Sequence, residues 1–279
     1  MQLSLSGSER FLAGFHDADP GVTSRAFARL PARMADCTFP SSYECLAAVV
    51  PSGPGTLVDL ACGDGYLLAL LAARRQAGLS LVGIDLSAGE LAAARRRLGP
   101  AVLLHQARAQ ALPLADASAD TVLCHMALML LDDAPRVLEE VRRVLKPGGV
   151  FAVVVGGGAA ASPAHEVVVS LLRQSRKLPE FESLRLGDSR LYAPDGIAEL
   201  FGPAFGLPAI DDILLLRRSG PDGLWDWFSG LYNMAWLGPA DRAAIGPRFV
   251  QEVAPLCNAD GKMEHRVMLR RITARRGLD

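Results

Sequence analysis

Two glycines and two carboxylates early in the 279-residue chain hold its clearest chemistry. The apolar run Leu57-Val58-Asp59-Leu60 enters Ala61-Cys62-Gly63-Asp64-Gly65 and then a helix-forming stretch from Tyr66, which is the pattern of a strand, a tight loop and a helix start. Glycine at 63 and 65 lets the main chain turn with no Cβ between it and a ligand, and the free N–H groups of the following helix face the same crevice. A second apolar run, Leu81-Val82-Gly83-Ile84, ends in Asp85, twenty residues beyond Gly65. A carboxylate at that distance stands where a ribose-binding acid belongs in a doubly wound sheet, so the two segments together point to a nucleoside-bearing cofactor.

One residue discriminates between cofactors. A dinucleotide fingerprint continuing from Gly63-x-Gly65 needs glycine or alanine at position 68, and Leu68 stands there, which disfavours pyrophosphate. There is no Gly-Lys-Ser/Thr to make a P-loop. The stretch from Asp59 to Gly65 resembles motif I of class I S-adenosylmethionine-dependent methyltransferases, acidic-x-Gly-x-Gly-x-Gly, with Ala61 in place of the first glycine. The segment Ala107-Arg108-Ala109-Gln110-Ala111-Leu112-Pro113-Leu114 resembles the family's Gly-Asp-Ala-Glu-x-Leu-Pro-Phe, which brackets the adenine, and Leu145-Lys146-Pro147-Gly148-Gly149 matches its turn before the fifth strand. The resemblance covers residues 43–156. It implies S-adenosylmethionine as cofactor, S-adenosylhomocysteine as product and no metal, with cofactor contacts at Tyr43, Asp59, Ala61, Gly63, Gly65, Asp85, Leu86, Ala109, Gln110 and His125. Arg108 departs from the pattern: it stands where an acid would accept the adenine amino hydrogen, and a guanidinium only donates.

The elements that position these residues follow from periodicity and punctuation. Residues 1–40, with Phe11, Phe15, Phe27, Leu30 and Met34 among glycines and prolines, read as short helices and turns without a strand, an N-terminal helical cap over 1–42. Ser41 or Ser42 caps a helix over 43–50, whose Tyr43 either covers the cofactor or simply packs. Helices are expected over 66–78 and 89–98, the latter capped by Ser87, and from Asp132 or Asp133 through Leu145. Strands are expected at 101–105, 120–124, 150–155, 210–217 and 262–273. The fold implied is an α/β, Rossmann-like, mostly parallel seven-stranded sheet with helices on both faces, in which the last strand is an antiparallel partner beside the fifth. The methyltransferase domain runs over 43–279, with insertions within 157–208 and 220–258 that roof the substrate.

Composition narrows the partners. Half of the residues are apolar and the formal net charge is −1, so neither nucleic acid nor an anionic membrane surface is indicated. Five widely spaced cysteines without a C-x-x-C pair fit a reducing cytoplasm, and no apolar run suggests export or insertion. Base-amino methyltransferases carry an Asn/Asp-Pro-Pro-aromatic tetrapeptide after the fourth strand, and Cys124-His125-Met126-Ala127 stands here instead. The expected acceptor is a small, largely apolar molecule, and the protein itself is expected to be a monomer or homodimer.

Methyl transfer from a sulfonium is an in-line substitution that rests mainly on proximity and orientation. His125 is the candidate base, the alternative being a histidine that contacts the cofactor or packs. Asp132 and Asp133 read as helix caps rather than metal ligands. Candidate acceptor contacts are Met126, Tyr192 and an aromatic stripe, Trp225, Phe228, Tyr232 and Trp236, along a helix expected over 221–237. Two rivals stay open: a protein that uses S-adenosylmethionine without transferring its methyl group, as a cyclase or a regulator, and an NAD(P)-dependent oxidoreductase on the same sheet.

Overall fold

Neighbouring residues of the glycine-loop strand are buried in different cores. In β3 (Gly55–Leu60), Leu57 joins one apolar cluster and Val58 and Leu60 the other. The same alternation runs through β6 (Ala119–His125) and β7 (Leu145–Gly156), where Val122, Cys124, Phe151, Val153 and Val155 face one way and Leu123, Ala152 and Val154 the other. A strand buried on both faces must be covered on both, which is why these runs are apolar throughout. The computed structural model describes residues 5–158, 162–183 and 186–278; parts of the expected first insertion, 159–161 and 184–185, lie outside them.

The chain opens with α1 (Gly7–Ala18) and α2 (Val22–Phe27), the hairpin β1 (Ala32–Met34) and β2 (Cys37–Phe39), and α3 (Ser42–Ala47). After β3 come α4 (Tyr66–Ala73), β4 (Leu79–Asp85), α5 (Ala88–Leu98), β5 (Leu103–Gln106), β6, α6 (Ala134–Val144) and β7. The remainder is α7 (Pro163–Gln174), α8 (Leu178–Ser183), α9 (Pro194–Phe205), β8 (Ala209–Ser219), α10 (Pro221–Ser229), α11 (Pro239–Val253) and β9 (Met263–Arg275). The sheet order is β2-β1-β8-β9-β7-β6-β3-β4-β5. Strands β3 to β7 are parallel to one another, and β9 lies antiparallel between β7 and β8. Helices α6 and α9 cover one face, while α3, α4, α7, α10 and α11 cover the other.

The α/β sheet and the antiparallel last strand agree with the sequence reading, and two local differences have plain causes. Among the described residues the sheet has nine strands, because residues 32–39, expected as turn, form a hairpin that joins the edge of β8. Strands of three residues are too short to show a period. The helix expected over 221–237 ends at Ser229; after Gly230 the chain takes an extended step at Leu231 and continues as a single 3-10 turn over Tyr232–Met234. The i+7 and i+11 members of the aromatic stripe therefore do not share a face with Trp225.

Gly83 explains how α4 sits on the sheet. A Cβ there would come within 2.6 Å of Leu104 and 2.9 Å of both Cys62 and Leu68. In a dinucleotide fold the small residue that permits this approach is on the helix; here Leu68 occupies the helix and the strand gives way. Gly83→Ala is therefore expected to overpack the joint and lower stability by about 1–3 kcal/mol, seen as a reduced urea midpoint at unchanged slope.

Candidate functional site

After β5 the chain returns to the far side of β3 to form β6, so the sheet's switch point lies between β3 and β6. Ligands collect in the crevice outside the carboxyl ends of such strands. A cavity of ≈ 120 Å³ opens there, walled by the loop after β3, the end of β4, the 107–110 segment, the end of β6 and the N-terminal helices.

The loop is shaped by Asp85. Its Oδ2 accepts the Gly63 N–H and its Oδ1 the Ser87 N–H, each at 2.8 Å. A carboxylate offers about four acceptor positions, so both oxygens retain capacity toward the cavity they line. Burial raises the Asp85 carboxyl above its usual range, and the two backbone N–H groups counter this. Ala61 and Gly63 both take left-handed φ, 57° and 53°, so alanine holds here the conformation for which the motif favours glycine.

Of the expected cofactor contacts, Tyr43, Asp59, Ala61, Gly63, Asp85, Leu86, Ala109, Gln110 and His125 are on this wall. Gly65 is behind it, where an added Cβ would meet Leu98 at 2.7 Å and Ala94 at 3.2 Å; it serves the approach of α5. Three wall residues carry buried polar atoms without a partner: Asp59 Oδ2, Gln110 Oε1 and His125 Nδ1. Such atoms cost about 1–3 kcal/mol each when left unsatisfied, and their concentration on one wall fits a polar ligand. S-adenosylmethionine, with its amino, carboxylate, ribose and adenine groups, matches that donor and acceptor set.

His125 stacks on Tyr43, with ring centroids 3.7 Å apart, and its Nε2 pairs with Ser42 Oγ at 2.9 Å. Burial pushes its pKa down to about 3, which leaves a neutral imidazole that is a weak base near neutrality and poorly suited to the base role expected of it. Burial also raises Asp59 well above the carboxylate range, with Asp85 and Asp64 adding to the shift.

The N-terminal helices close the crevice through contacts that the sequence did not announce. Arg108 Nε donates to Glu9 Oε1 at 2.8 Å. Glu90, 2% exposed, accepts the Gly21 N–H at 2.8 Å and pairs with His16 Nδ1 at 2.9 Å. Ser24 Oγ donates to Asp64 at 2.7 Å, and Gly89 N to Asp17 at 2.8 Å. Ser6 also bonds Asp132, while Asp133 caps α6 as expected. Among the described residues no group of three or more His, Cys, Asp or Glu side chains is placed to hold a metal ion.

A second, larger cavity of ≈ 410 Å³ adjoins the first, and His16, Thr23, Met126 and Leu130 line both. Tyr192 and Tyr232 line it, as does Met126, which is held at φ 56° just beyond β6. Trp225 and Trp236 are elsewhere. Trp225 packs on Phe249 and Gly246, and Trp236 donates its indole N–H to Asn233 O at 2.8 Å. Their places are taken by Trp227 and Phe228, with Phe27, His165 and His265. The helical phase of Trp227, two residues and about 200° on from Trp225, was the available signal, whereas Phe228 at i+3 was already part of the stripe. Burial, with His165 and Arg217 adding to it, pushes the His265 pKa down to about 4.

A family model described as a methyltransferase domain matches residues 58–153. Trans-aconitate 2-methyltransferase of Deinococcus radiodurans is 31% identical over 210 residues, covering 71% of this chain and 77% of that protein. The chain belongs to the S-adenosylmethionine-dependent methyltransferases. Malonyl-[acyl-carrier protein] O-methyltransferase of Pectobacterium atrosepticum is 35% identical over 143 residues, which are 50% of this methyltransferase and 55% of that protein. Among solved structures, the [4+2]-cyclase SpnF aligns over 100% of both chains with a TM-score of 0.58 at 18% identity, a likeness of fold alone.

Two measurements follow from this geometry. Asp85→Ala should weaken S-adenosylmethionine binding by about 2–3 kcal/mol, the loss expected for hydrogen bonds to a charged acceptor; unchanged calorimetric affinity would remove Asp85 from the cofactor site. In an NMR titration the ring protons of His125 and His265, assigned by single substitution, should hold their neutral-form shifts as the pH is lowered from 7.5 to about 5, because burial has moved both protonations far below the ordinary histidine value of about 6.5.

Proposed function

We propose that this methyltransferase transfers the methyl group of S-adenosylmethionine to a small, uncharged and largely apolar acceptor held in the second cavity. The observation that carries the reading is the pairing of a polar crevice, with unsatisfied Asp59, Gln110 and His125 atoms, to an apolar chamber across the shared wall of Met126 and Leu130. The relatives' names point to different acceptors, so the acceptor class is argued from the chamber. Among the described residues that line it there is no Asp, Glu or Lys, and its Arg266 is exposed and held by Glu264 at 3.0 Å. A cationic amine or a polycarboxylate finds no fixed counter-charge there. Phe27, Trp227, Phe228 and Leu269 favour an apolar body, and the buried Asn233 Oδ1, which has no partner, favours a hydroxyl or amide donor.

When bound, S-adenosylmethionine supplies a methyl group on a sulfonium leaving group. The chain's part is positioning: Asp85, Asp59 and Gln110 hold the polar ends, and α1 and α2 exclude water. Where the acceptor is a hydroxyl, its proton passes to His16. The buried Glu90 carboxylate takes the Nδ1–H of His16, which leaves Nε2 with its lone pair and stabilises the imidazolium that forms. His125 serves as a neutral cofactor contact.

The test is to incubate the protein with methyl-labelled S-adenosylmethionine and a panel of phenols, hydroxylated polyketides and simple amines. Transfer to neutral hydroxyl compounds is expected. In such an assay His16→Ala should lower turnover by about 10²–10⁴ with cofactor affinity retained, whereas His125→Ala should weaken cofactor binding. Tight binding of S-adenosylmethionine with turnover of an unsaturated substrate and no S-adenosylhomocysteine formed would replace transfer by the cyclase reading. Binding of NADH in its place would replace it by the oxidoreductase reading.

A further inference from the structure

We infer that Glu9, carried in from the N-terminal helix α1, is the acid that reads the adenine amino group. It replaces the acid lost where Arg108 stands in the adenine-bracketing segment. The inference rests on the cofactor reading above and adds to it a residue outside that segment.

Glu9 is an unusual residue for the first turn of an amphipathic helix because it is 5% exposed. Its Oε2 accepts the Ser6 N–H at 2.9 Å and closes a capping box, which fixes the side chain against the helix start. Its Oε1 accepts Arg108 Nε at 2.8 Å. Each oxygen therefore has one partner and further acceptor capacity, and both Glu9 and Arg108 line the crevice beside Ala109 and Gln110. Arg108 thus inverts the usual arrangement. A cation at this place cannot accept from an exocyclic amine, but it draws a carboxylate of the cap to the same spot and neutralises the cost of burying it.

Gln110 points the same way. Its Nε2 donates to Asp132 O at 2.6 Å, which turns Oε1 away from that partner, and Oε1 is buried without a donor. Two acceptors, the Glu9 carboxylate and Gln110 Oε1, thus stand at this end of the crevice, and the Arg108 Nε–H is already committed to Glu9. An adenine amino group has two hydrogens to give; a hypoxanthine presents a carbonyl oxygen in its place, which two acceptors repel. The α1 helix becomes part of the cofactor's recognition as well as its cover.

The experiment compares calorimetric binding of S-adenosylhomocysteine with that of S-inosylhomocysteine, its hypoxanthine analogue, and needs no acceptor. The native protein should prefer the adenine ligand by roughly 10- to 100-fold, the factor for a hydrogen bond to a charged group. Glu9→Gln keeps a residue that closes the capping box and should bring the preference to threefold or less on this scale, since an amide can also donate to the carbonyl. Glu9→Asp, which withdraws the carboxylate by one methylene, should reduce it likewise. A merely structural role for Glu9 would weaken both ligands alike and leave the ratio intact. Equal binding of the two ligands by the native protein, or a native ratio in both variants, overturns the inference while the methyltransferase reading stands. Binding of neither ligand by the native protein overturns that reading as well.

Discussion

The Asp85 carboxylate governs the geometry on which the site depends. One oxygen holds the turn after β3 through Gly63 N and the other holds the start of α5 through Ser87 N. Two loops from neighbouring parallel strands are thereby tied to a single buried charge. The cost of burying that charge is offset by backbone donors, which shift its pKa in opposition to desolvation. Ala61 is kept in a left-handed conformation in the same turn. A strained alanine persists when the surrounding structure holds it, and this loop is held from β4 as well as from β3.

The cap depends on the same region by a different route. Glu90, on the first turn of α5, joins Gly21 and His16, while Asp64, in the glycine loop, receives Ser24. Carboxylates of the sheet domain thus bind the N-terminal helices across the crevice, beside the apolar packing of Phe27 of α2 in the core. Polar seams of this kind open at lower cost than packed cores. This suits a cover over a site through which a cofactor must pass. The chamber beyond Met126 is built in the opposite manner, from aromatic and aliphatic side chains of α2, α10 and β9, and burial pushes the pKa values of His165 and His265 down.

The division between the two chambers also orders the histidines. His125 is deep, stacked on Tyr43 and shifted strongly downward. His16 stands at the junction with a carboxylate on its Nδ1. The sequence points to His125 because the carboxyl end of β6 is where such sheets gather ligands, and nothing local marks His16.

The parts of the molecule whose physics is local are legible in the residues. The order of strands and helices from 55 to 156, the glycine turn, the acid at 85 and the caps at Ser87 and Asp133 follow from periodicity, φ preference and side-chain capping within a few residues. The antiparallel last strand came from the resemblance and agrees with the pairing of β9 with β7. Tertiary structure decided whatever depends on residues far apart in the chain. The hairpin at 32–39 exists because β8 offers an edge. The aromatic stripe breaks where Gly230 ends α10, which takes Tyr232 and Trp236 off the face of Trp225, while within α10 Trp227 and Phe228 reach the chamber and Trp225 packs on Phe249. Glu9 meets Arg108 across 99 residues. A charge can be read from sequence, but its partner is set by which surfaces the core brings together, and that is a property of packing with no local signature.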